Sequence, residues 1–347
     1  MIRVLVVDDS ALVRKLLTET LSSYSGIEVV GSAVDPYVAR DKIARLRPDV
    51  ITLDIEMPRM NGLEFLAALM AHHPLPVVVV SSITPADSEA ALQALALGAV
   101  EVICKPGPAY STPDIGRDLV RAIRAAAGAR PKARTAESVP LRRDPTLARF
   151  ATTDRVLAIG ASTGGTVAIE SLLMALPADA PGTVIVQHMP PQFTGAFAAR
   201  LDRLCAVEVR EARDGDAIVT GVVLIAPGDR HMVVQGSGAR RQVRIKDGPR
   251  ICHQRPSVDV LFDSVARTAG RNAVGVLLTG MGADGAKGML AMRQAGATTL
   301  AQDEASCVVF GMPREAVLMG GVDRVVSLTA MSAAIDEALR TPARATA

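Results

Sequence analysis

The 347-residue chain is long enough for about two domains, each able to bury a sizeable core. Hydrophobic residues make up 49% of the chain and charged residues 21%, which excludes a disordered or fibrous protein. The 38 basic and 36 acidic side chains leave a formal charge of +2, so the basic excess that nucleic-acid binding usually needs is missing.

The sequence carries no sign of export or membrane insertion. The start MIRVLVVDDS meets two aspartates before an apolar signal core could form, and runs such as PVVVVSSI stop well short of the roughly 18 residues that a membrane span requires. The four cysteines form no C-x-x-C pair, which is typical of thiols in a reducing compartment. We therefore expect a cytoplasmic protein that does not insert into membranes.

Short β-branched runs alternate with helical stretches in residues 1–124. The runs are VLVVD, IEVVGSA, DVITLD, PVVVVS and VEVICK, and stretches such as ALVRKLLTETL and GLEFLAAL follow them. Five successive βα units predict a parallel, doubly wound sheet with helices on both faces. The first 124 residues are therefore predicted to form a (βα)5 domain of the α/β class.

A basic segment separates this domain from a second α/β series. Residues 125–152 hold three prolines and six basic residues against two acidic ones, which predicts a linker. In residues 153–347, apolar runs such as RVLAIG, TVIVQHM and AVGVLLTG again alternate with helical stretches. We expect a second doubly wound α/β domain there, with an antiparallel insert around residues 206–246.

Polar residues stand at the ends of the predicted strands of the first domain. Asp8 and Asp9 follow the first strand, Asp54 the third, Ser81 the fourth and Lys105 the fifth. Because the carboxyl ends of parallel strands share one edge of the sheet, these side chains are expected to converge. Crowded carboxylates favour a cation between them, and Mg²⁺ prefers such oxygen ligands. Asp54 would then accept a phosphoryl group, with the metal and Lys105 neutralising its charge.

A serine between glycines opens the second domain. Ser162 in IGASTGG follows the run RVLAI and precedes a helical stretch, which is the setting of a nucleophile on a strand-to-helix turn. The same loop could instead cradle the phosphates of a nucleotide in a Rossmann unit. That alternative lacks the G-x-G-x-x-G spacing, and Gln187 and His188 stand where an acidic residue is expected at the end of the next strand.

A serine nucleophile needs a base and an orienting acid. His188 directly follows the next strand after Ser162, and Asp284 lies in the loop after the strand AVGVLLTG. All three groups would meet at the carboxyl edge of the sheet, as a Ser-His-Asp triad requires. His231 and His253 are further candidates for the base on sequence grounds.

The motifs LVVDDS, LDIEMP and KP, over residues 2 to about 124, resemble the receiver domain of two-component response regulators. The resemblance implies that Asp54 is the phosphoacceptor, that a histidine kinase is the phosphodonor, and that Mg²⁺ is needed for phosphorylation. The implied metal ligands are Asp8, Asp9, Asp54 and the backbone carbonyl of Glu56.

Two further receiver positions respond to the phosphoryl group according to this resemblance, namely Ser81 and Lys105. One position departs from the pattern, because Val102 stands where many receivers carry an aromatic switch residue. Switching through an aromatic rotamer is therefore not expected here.

The motifs IGASTGG, VQHMPPQFT and LLTGMGADG resemble the catalytic domain of chemotaxis protein-glutamate methylesterases, the CheB family. The resemblance implies that Ser162 is the nucleophile, His188 the general acid and base, and Asp284 the orienting carboxylate. It also implies an oxyanion site at Met281 and the backbone of Thr163. Members of the family demethylate glutamate methyl esters on chemoreceptors, and many also deamidate glutamines there.

The predicted function is therefore phosphorylation-regulated ester hydrolysis on methylated chemoreceptors. The hydrolysis itself is expected to need no cofactor, and no nucleic-acid partner is expected. Two other classes stay open on sequence grounds. A DNA-binding response regulator shares the first half but would normally carry a short, helical, basic output domain. A nucleotide-dependent oxidoreductase would keep the fold and assign Ser162 to phosphate binding.

Overall fold

The computed structural model divides the chain into two compact units, Met1–Ser138 and Val139–Ala347. The described residues are 1–57, 59–81, 85–105, 112–129, 154–237 and 240–340. Most of the predicted linker, from residue 130 onward, lies outside these ranges. Its first residues, up to Ala127, belong to the last helix of the first unit.

The first unit is built on five parallel strands. They are β1 (Ile2–Val7), β2 (Ile27–Ala33), β3 (Val50–Leu53), β4 (Val77–Ser81) and β5 (Glu101–Cys104). The helices that alternate with them are α1 (Ala11–Ser22), α2 (Pro36–Leu46), α3 (Gly62–His72), α4 (Pro85–Leu97) and α5 (Thr112–Ala127). The strand order β2-β1-β3-β4-β5, with every pair parallel, confirms the predicted (βα)5 fold.

The residues of these elements explain why they form. Every position of β3 and β4 is buried, as expected for a parallel sheet that helices cover on both faces. Ser10 and Asp35 cap α1 and α2, because their side-chain oxygens accept the N–H groups of Val13 and Val38 in the first helical turns. Only Asp8 and Asp9 lie between the end of β1 and the cap at Ser10. Both are therefore confined to the carboxyl edge of the sheet.

The second unit holds nine strands and six α-helices among its described residues. The strands are β6 (Val156–Ala161), β7 (Gly182–Gln187), β8 (Glu208–Glu211), β9 (Val222–Ile225), β10 (His231–Ser237), β11 (Arg240–Lys246), β12 (Ala273–Leu277), β13 (Thr298–Gln302) and β14 (Arg324–Val326). The helices are α6 (Gly165–Met174), α7 (Pro191–Leu204), α8 (Val258–Ala269), α9 (Ala286–Gln294), α10 (Met312–Leu318) and α11 (Leu328–Arg340).

Seven of these strands form one parallel sheet in the order β14-β13-β12-β6-β7-β9-β8, which confirms the predicted second α/β domain. The antiparallel insert is also present, but it consists of β10 and β11 alone. It is narrower than the predicted range because β8 and β9 pair in parallel with the main sheet. The pattern missed β8 and β14, since both are short and lie at the edges of the sheet.

The order of the main sheet reverses at β6. From β6 the chain builds outward through β7 on one side and later returns to β12 on the other. Sites in open α/β sheets lie beyond the carboxyl ends of the strands at such a point. Helix α8 approaches closely here, because a Cβ on Gly160 of β6 would lie only 2.3 Å from Cγ1 of Val258. The N-terminus of α8 therefore lies beside the carboxyl end of β6.

Two features of the structure concern the cysteines and the possibility of a membrane-spanning helix. All four cysteines are free. Burial raises the pKa of Cys104, Cys205 and Cys307 to about 12, which keeps these thiols protonated at neutral pH. Within the described ranges, no helix combines the length and the apolar character needed to cross a membrane.

Candidate active site

The turn between β6 and α6 holds Ser162 at the carboxyl edge of the main sheet. Ser162 follows Ala161, the last residue of β6, and its carbonyl accepts the N–H of Gly165, the first residue of α6, at 2.7 Å. Its own N–H donates to the carbonyl of Thr279 at 3.0 Å. The left-handed conformation of the turn falls on Gly164, with φ 77°, so the serine itself adopts an ordinary backbone. This is the strand–turn–helix setting expected for the serine.

Neighbouring loops pack tightly against this turn. A Cβ on Gly280 would lie 2.7 Å from Cβ of Ser162, so only glycine allows this approach without displacing the serine. In the same segment after β12, the hydroxyl of Thr279 donates to the carbonyl of Thr163 at 3.0 Å. The backbone around the serine is therefore fixed from the adjacent strand end.

His188 occupies the matching place on the next strand. Strands β6 and β7 pair in parallel with Ala161 opposite Gln187, so Ser162 and His188 are the next residues on adjacent strands. The side-chain amide of Gln187 links them, since its Nε2 donates to the carbonyl of Ser162 at 2.9 Å and to that of His188 at 3.0 Å. Sequence analysis assigned no role to Gln187, because this link depends on the register of the two strands.

Asp284 lies against the imidazole of His188. Its Oδ2 is 2.8 Å from Nε2 of His188, and both side chains are buried. Because a carboxylate only accepts, Nε2 carries the hydrogen of the neutral ring and Nδ1 keeps a lone pair. Nδ1 is buried and has no hydrogen-bond partner in the described part of the chain. The structure thus brings His188 and Asp284 into contact, whereas the hydroxyl of Ser162 does not bond to Nδ1 in this conformation.

The start of α8 holds the carboxylate of Asp284. Oδ1 accepts the hydroxyl hydrogen of Ser257 at 2.7 Å and the N–H of Asp259 at 3.1 Å, and Oδ2 accepts the N–H of Val258 at 2.7 Å. Burial alone would raise the pKa of Asp284, but these hydrogen bonds and the one from His188 lower it below its usual range. Asp284 is therefore a fixed anion at neutral pH. Sequence reasoning missed Ser257, although an S-x-D pattern before an apolar helix could have indicated a helix start.

The two residues predicted for the oxyanion site flank Ser162. Thr163 follows it directly and is buried. Met281 is half-buried and follows Gly280, which packs on Cβ of Ser162. The carbonyl of Gly280 accepts the N–H of Met312 at 2.8 Å, which anchors this loop to the start of α10. The oxyanion role of both residues stays a prediction.

The other candidate histidines do not take the place of the base. His253 is exposed, with a left-handed φ of 66°. His231 is buried at the start of β10, where its Nδ1 accepts the N–H of Ser257 and its Nε2 donates to the carbonyl of Pro249. His188 is the only one of the three that contacts Asp284 in the described contacts.

The polar residues at the strand ends of the first unit form a second site. Carboxylate oxygens of Asp8, Asp9 and Asp54 lie within 4.8 Å of one another, a spacing that suits a single hard cation. Nζ of Lys105 lies 2.6 Å from Oδ2 of Asp54 and 3.2 Å from Oδ2 of Asp8. The N–H of Lys105 donates to the carbonyl of Ser81, whose buried hydroxyl has no hydrogen-bond partner among the described residues. All five predicted residues therefore meet at one edge.

The electrostatics of this second site follow from burial and from its lysine. Burial raises the pKa of Asp54 to about 6, Lys105 opposes the rise, and the charge of Asp8 adds to it. Burial would lower the pKa of Lys105, but the carboxylates of Asp54 and Asp8 raise it. The N–H of Glu56 lies 3.3 Å from Oδ1 of Asp54, while the metal role of its carbonyl stays a prediction. Val102 is buried in β5 opposite Val79.

Comparison with known proteins identifies both units. The sequence model of the CheB methylesterase family matches residues 157–335, and that of the response regulator receiver domain matches residues 4–111. A protein of Syntrophus aciditrophicus (strain SB), named protein-glutamate methylesterase/protein-glutamine glutaminase 2, is 56% identical over 341 residues, which are 98% of each chain. A protein of Escherichia coli (strain K12), named protein-glutamate methylesterase/protein-glutamine glutaminase, is 55% identical over 335 residues, 95% of each chain.

A solved structure gives the same result for the second unit. The crystal structure of the Thermotoga maritima CheB methylesterase catalytic domain matches with a TM-score of 0.51 and 36% sequence identity, covering 53% of this chain and 97% of that one. The family match, the near full-length identity and the fold agree on one assignment. The chain belongs to the CheB methylesterase family, and it carries a response regulator receiver domain ahead of the catalytic domain.

Proposed function

We propose that the protein hydrolyses glutamate methyl esters on chemoreceptors, with Ser162 as nucleophile, His188 as general base and acid, and Asp284 as the orienting carboxylate. The observation that carries this proposal is the buried pair of His188 and Asp284. Nδ1 of His188 has no partner among the residues that the structure describes, and His188 stands beside Ser162 on the adjacent strand. The names of the relatives, protein-glutamate methylesterase/protein-glutamine glutaminase, support this substrate class.

The first step forms an acyl-enzyme. Because Nε2 of His188 donates to the anionic Asp284, Nδ1 is the nitrogen that takes the proton of the Ser162 hydroxyl as its oxygen attacks the γ-carbonyl carbon of the ester. The serine hydroxyl turns toward Nδ1 for this step. Backbone N–H groups at Thr163 and Met281 hold the oxyanion of the tetrahedral intermediate. The C–OCH₃ bond then breaks, and methanol leaves with the proton from Nδ1.

The second step returns the serine. A water molecule gives a proton to Nδ1 of His188 as its oxygen attacks the acyl carbon, and the bond to Ser162 breaks as the proton returns to the serine oxygen. The product is a free glutamate on the receptor. A glutamine side chain would follow the same steps with ammonia as the leaving group, which accounts for deamidation as the second activity. Neither step uses a metal or a cofactor.

We assign the regulatory input to the receiver domain. Asp54 is the phosphoacceptor, a chemotaxis histidine kinase is the phosphodonor, and the phosphoryl group regulates hydrolysis in the second unit. Ser81 and Lys105 respond to it, since the lysine already contacts Asp54 and the serine hydroxyl bonds to no other described residue. The proposed boundaries are residues 1–124 for the receiver, 125–152 for the linker and 153–347 for the catalytic domain, except that α5 extends the receiver to Ala127.

The acidic site fits the magnesium ion that receiver phosphorylation requires. The carboxylates of Asp8, Asp9 and Asp54, together with the carbonyl of Glu56, would hold Mg²⁺, which neutralises charge on the transferred phosphoryl group. Lys105 adds a second positive charge beside Asp54, since its Nζ lies 2.6 Å from Oδ2 of that aspartate. Free cysteines are consistent with a cytoplasmic enzyme, and the proposed reaction involves neither nucleic acid nor insertion into the membrane.

Methanol release from methylated receptor tests the hydrolytic proposal. Ser162→Ala and His188→Ala are each expected to lower kcat by about 10⁴-fold or more, because only binding and oxyanion stabilisation remain. Ser171→Ala is the matched control, since this serine is half-buried on α6 and lies outside the site, so its kcat should match that of the wild type. A folded Ser162→Ala protein that releases methanol at near the wild-type rate would refute the assignment.

A further inference from the structure

The buried imidazole of His231 has a hydrogen-bonded partner at each nitrogen. Its Nε2 lies 2.9 Å from the carbonyl oxygen of Pro249, and its Nδ1 lies 3.2 Å from the backbone nitrogen of Ser257. A carbonyl can only accept and a backbone N–H can only donate, so the ring must carry its hydrogen on Nε2 and accept at Nδ1. The two partners therefore fix both the tautomer and the orientation of the ring.

Ser257 connects this ring to the proposed catalytic carboxylate. Ser257 is the N-cap of α8, and its hydroxyl accepts the N–H of Val260 while donating to Oδ1 of Asp284 at 2.7 Å. The residue is fully buried, so a backbone N–H left without an acceptor would have no water to bond. The hydrogen bond to His231 satisfies that N–H and holds the cap residue in place.

We propose that His231 is a positioning residue of the hydrolytic site, which acts through Ser257 to hold Asp284 in the orientation that His188 requires. The path runs from Nδ1 of His231 to the N–H of Ser257, from the Ser257 hydroxyl to Oδ1 of Asp284, and from Oδ2 of Asp284 to Nε2 of His188. This inference rests on the proposed function, and it adds a second histidine that touches none of the reacting atoms.

Loss of the acceptor at Nδ1 would loosen this path at its first bond. The orphaned N–H of Ser257 would seek another acceptor, and the cap and its hydroxyl would move with it. Asp284 keeps the N–H groups of Val258 and Asp259, so it remains buried and bound while its alignment with His188 changes. Misalignment of about 1 Å can cost on the order of 10²-fold in rate, so the effect belongs in kcat rather than in KM.

Two amide variants separate the two nitrogens of the ring. The amide of asparagine reaches the position of Nδ1, so His231→Asn can still accept the N–H of Ser257. The amide of glutamine reaches the position of Nε2, so His231→Gln keeps the donor to Pro249 and loses the acceptor. We expect His231→Gln to lower kcat for methanol release by about 10-fold to 100-fold with KM within about threefold, and His231→Asn to recover most of that loss.

Three controls distinguish positioning from general damage. His253→Gln, on an exposed histidine, makes the same chemical change outside the path and should leave kcat unchanged. Thermal unfolding of each variant reports loss of packing. In a Ser257→Ala background the hydroxyl of the path is already gone, so His231→Gln should cost less than about threefold there. Equal losses in the Asn and Gln variants, or a full additional loss in the Ser257→Ala background, would overturn the inference.

A spectroscopic readout separates this inference from the proposed function. The resonance of the hydrogen between Nε2 of His188 and Asp284 can be followed by proton NMR in the full-length protein without substrate. It should move in His231→Gln and return toward the wild-type position in His231→Asn. An unmoved resonance in His231→Gln contradicts the inference even if methanol is released. Absence of methanol release by the wild type, with the resonance moving as expected, contradicts only the proposed function.

Discussion

Two buried aspartates lie beyond strands of parallel sheets in this protein, and their pKa values shift in opposite directions. Asp54 follows β3 in the first unit and Asp284 follows β12 in the second, with 1% and 2% of each residue exposed. Burial raises the pKa of Asp54 to about 6. Burial acts in the same direction on Asp284, but hydrogen bonds outweigh it and lower the pKa. Two carboxylates that are equally buried therefore have pKa values shifted in opposite directions.

The difference lies in the donors that each carboxylate receives. Asp284 accepts four hydrogen bonds, three of them from the start of α8 and one from His188. Asp54 has the ammonium group of Lys105 and a longer contact with the N–H of Glu56, while the carboxylate of Asp8 repels it. A carboxylate with all its acceptors used orients a neighbour and does not react. A carboxylate with few donors keeps the capacity to bind a cation or to accept a phosphoryl group.

Among the changes that test this contrast between the two aspartates, the largest expected effect comes from neutralising Asp284. We expect Asp284→Asn to lower kcat for methanol release by about 10³-fold to 10⁴-fold, because an amide that donates toward Nε2 of His188 forces the hydrogen onto Nδ1 and removes the base. The loss should appear at full occupancy of substrate, with the variant folded at the assay temperature by circular dichroism. Retention of more than about a tenth of the wild-type kcat would show that this anion is not needed.

Asp259→Asn is the matched control for this prediction. Asp259 is also buried and lies in the first turn of α8, but its side chain accepts the N–H of Gly288 and does not contact His188 in the described contacts. Burial raises its pKa, with Asp284 adding to the rise, so a neutral amide fits this position. We expect its kcat within about threefold of the wild type. Equal losses in the two variants would mean that the assay reports packing around α8 instead of the orienting carboxylate.

The next effect concerns the stability of the first unit. A folded pKa of about 6 for Asp54 lies above the usual value of 3.8, so ionising this group weakens the folded state as pH rises through that window. Without metal, Asp54→Asn should raise the free energy of unfolding of this unit by about 3 kcal/mol at pH 8 and by about half of that at pH 5. The sign follows from the native state binding more protons than the unfolded state between these pKa values.

Hydrogen exchange of backbone amides in β1 and β3 measures this effect within the first unit alone. Asp41→Asn serves as the control, because this aspartate is exposed and pairs only with Arg40 among the described ion pairs. Its variant should show no dependence of this kind on pH. A stabilisation by Asp54→Asn that is the same at pH 5 and pH 8, or absent at both, would show that Asp54 is ionised in the folded protein as easily as in water.

The sequence was sufficient for the parts of both sites that depend on strand ends. Asp8, Asp54 and Lys105 each stand directly after a β-branched run, and parallel strands bring such positions to one edge, so their convergence could be predicted. Ser162 and His188 follow the same rule on β6 and β7. For these residues, local pattern and topology together determine the position.

The groups that lower the pKa of Asp284 could not be predicted in this way, unlike Lys105 and Asp8, which act on Asp54 from the ends of other strands in the same sheet. Ser257 reaches Asp284 because Gly160 lets α8 pack closely on β6, and that approach depends on a contact distant in sequence. The bond from Ser257 to His231 requires the hairpin of β10 and β11 to lie beside the same helix end. Helix packing and strand register, which a single sequence does not display, decide how many donors a buried carboxylate receives.

The smallest expected effect is on the affinity of the first unit for Mg²⁺. Protons and the metal compete for Asp54, and a pKa of about 6 leaves roughly a tenth of this group ionised at pH 5. We expect the dissociation constant for Mg²⁺, measured by calorimetry on the full-length protein, to be about tenfold higher at pH 5 than at pH 7. In Asp54→Asn the affinity should be weaker but should change less between these pH values, because the titrating ligand is gone.

Asp284 provides the contrast, because its four donors keep it ionised across this range. The proposed hydrolysis uses no metal, so chelation of Mg²⁺ should leave the basal kcat for methylated receptor unchanged. If the affinity of the wild type for Mg²⁺ stayed constant from pH 7 to pH 5, Asp54 would be ionised throughout this range, as Asp284 is. The contrast between the two aspartates would then not hold.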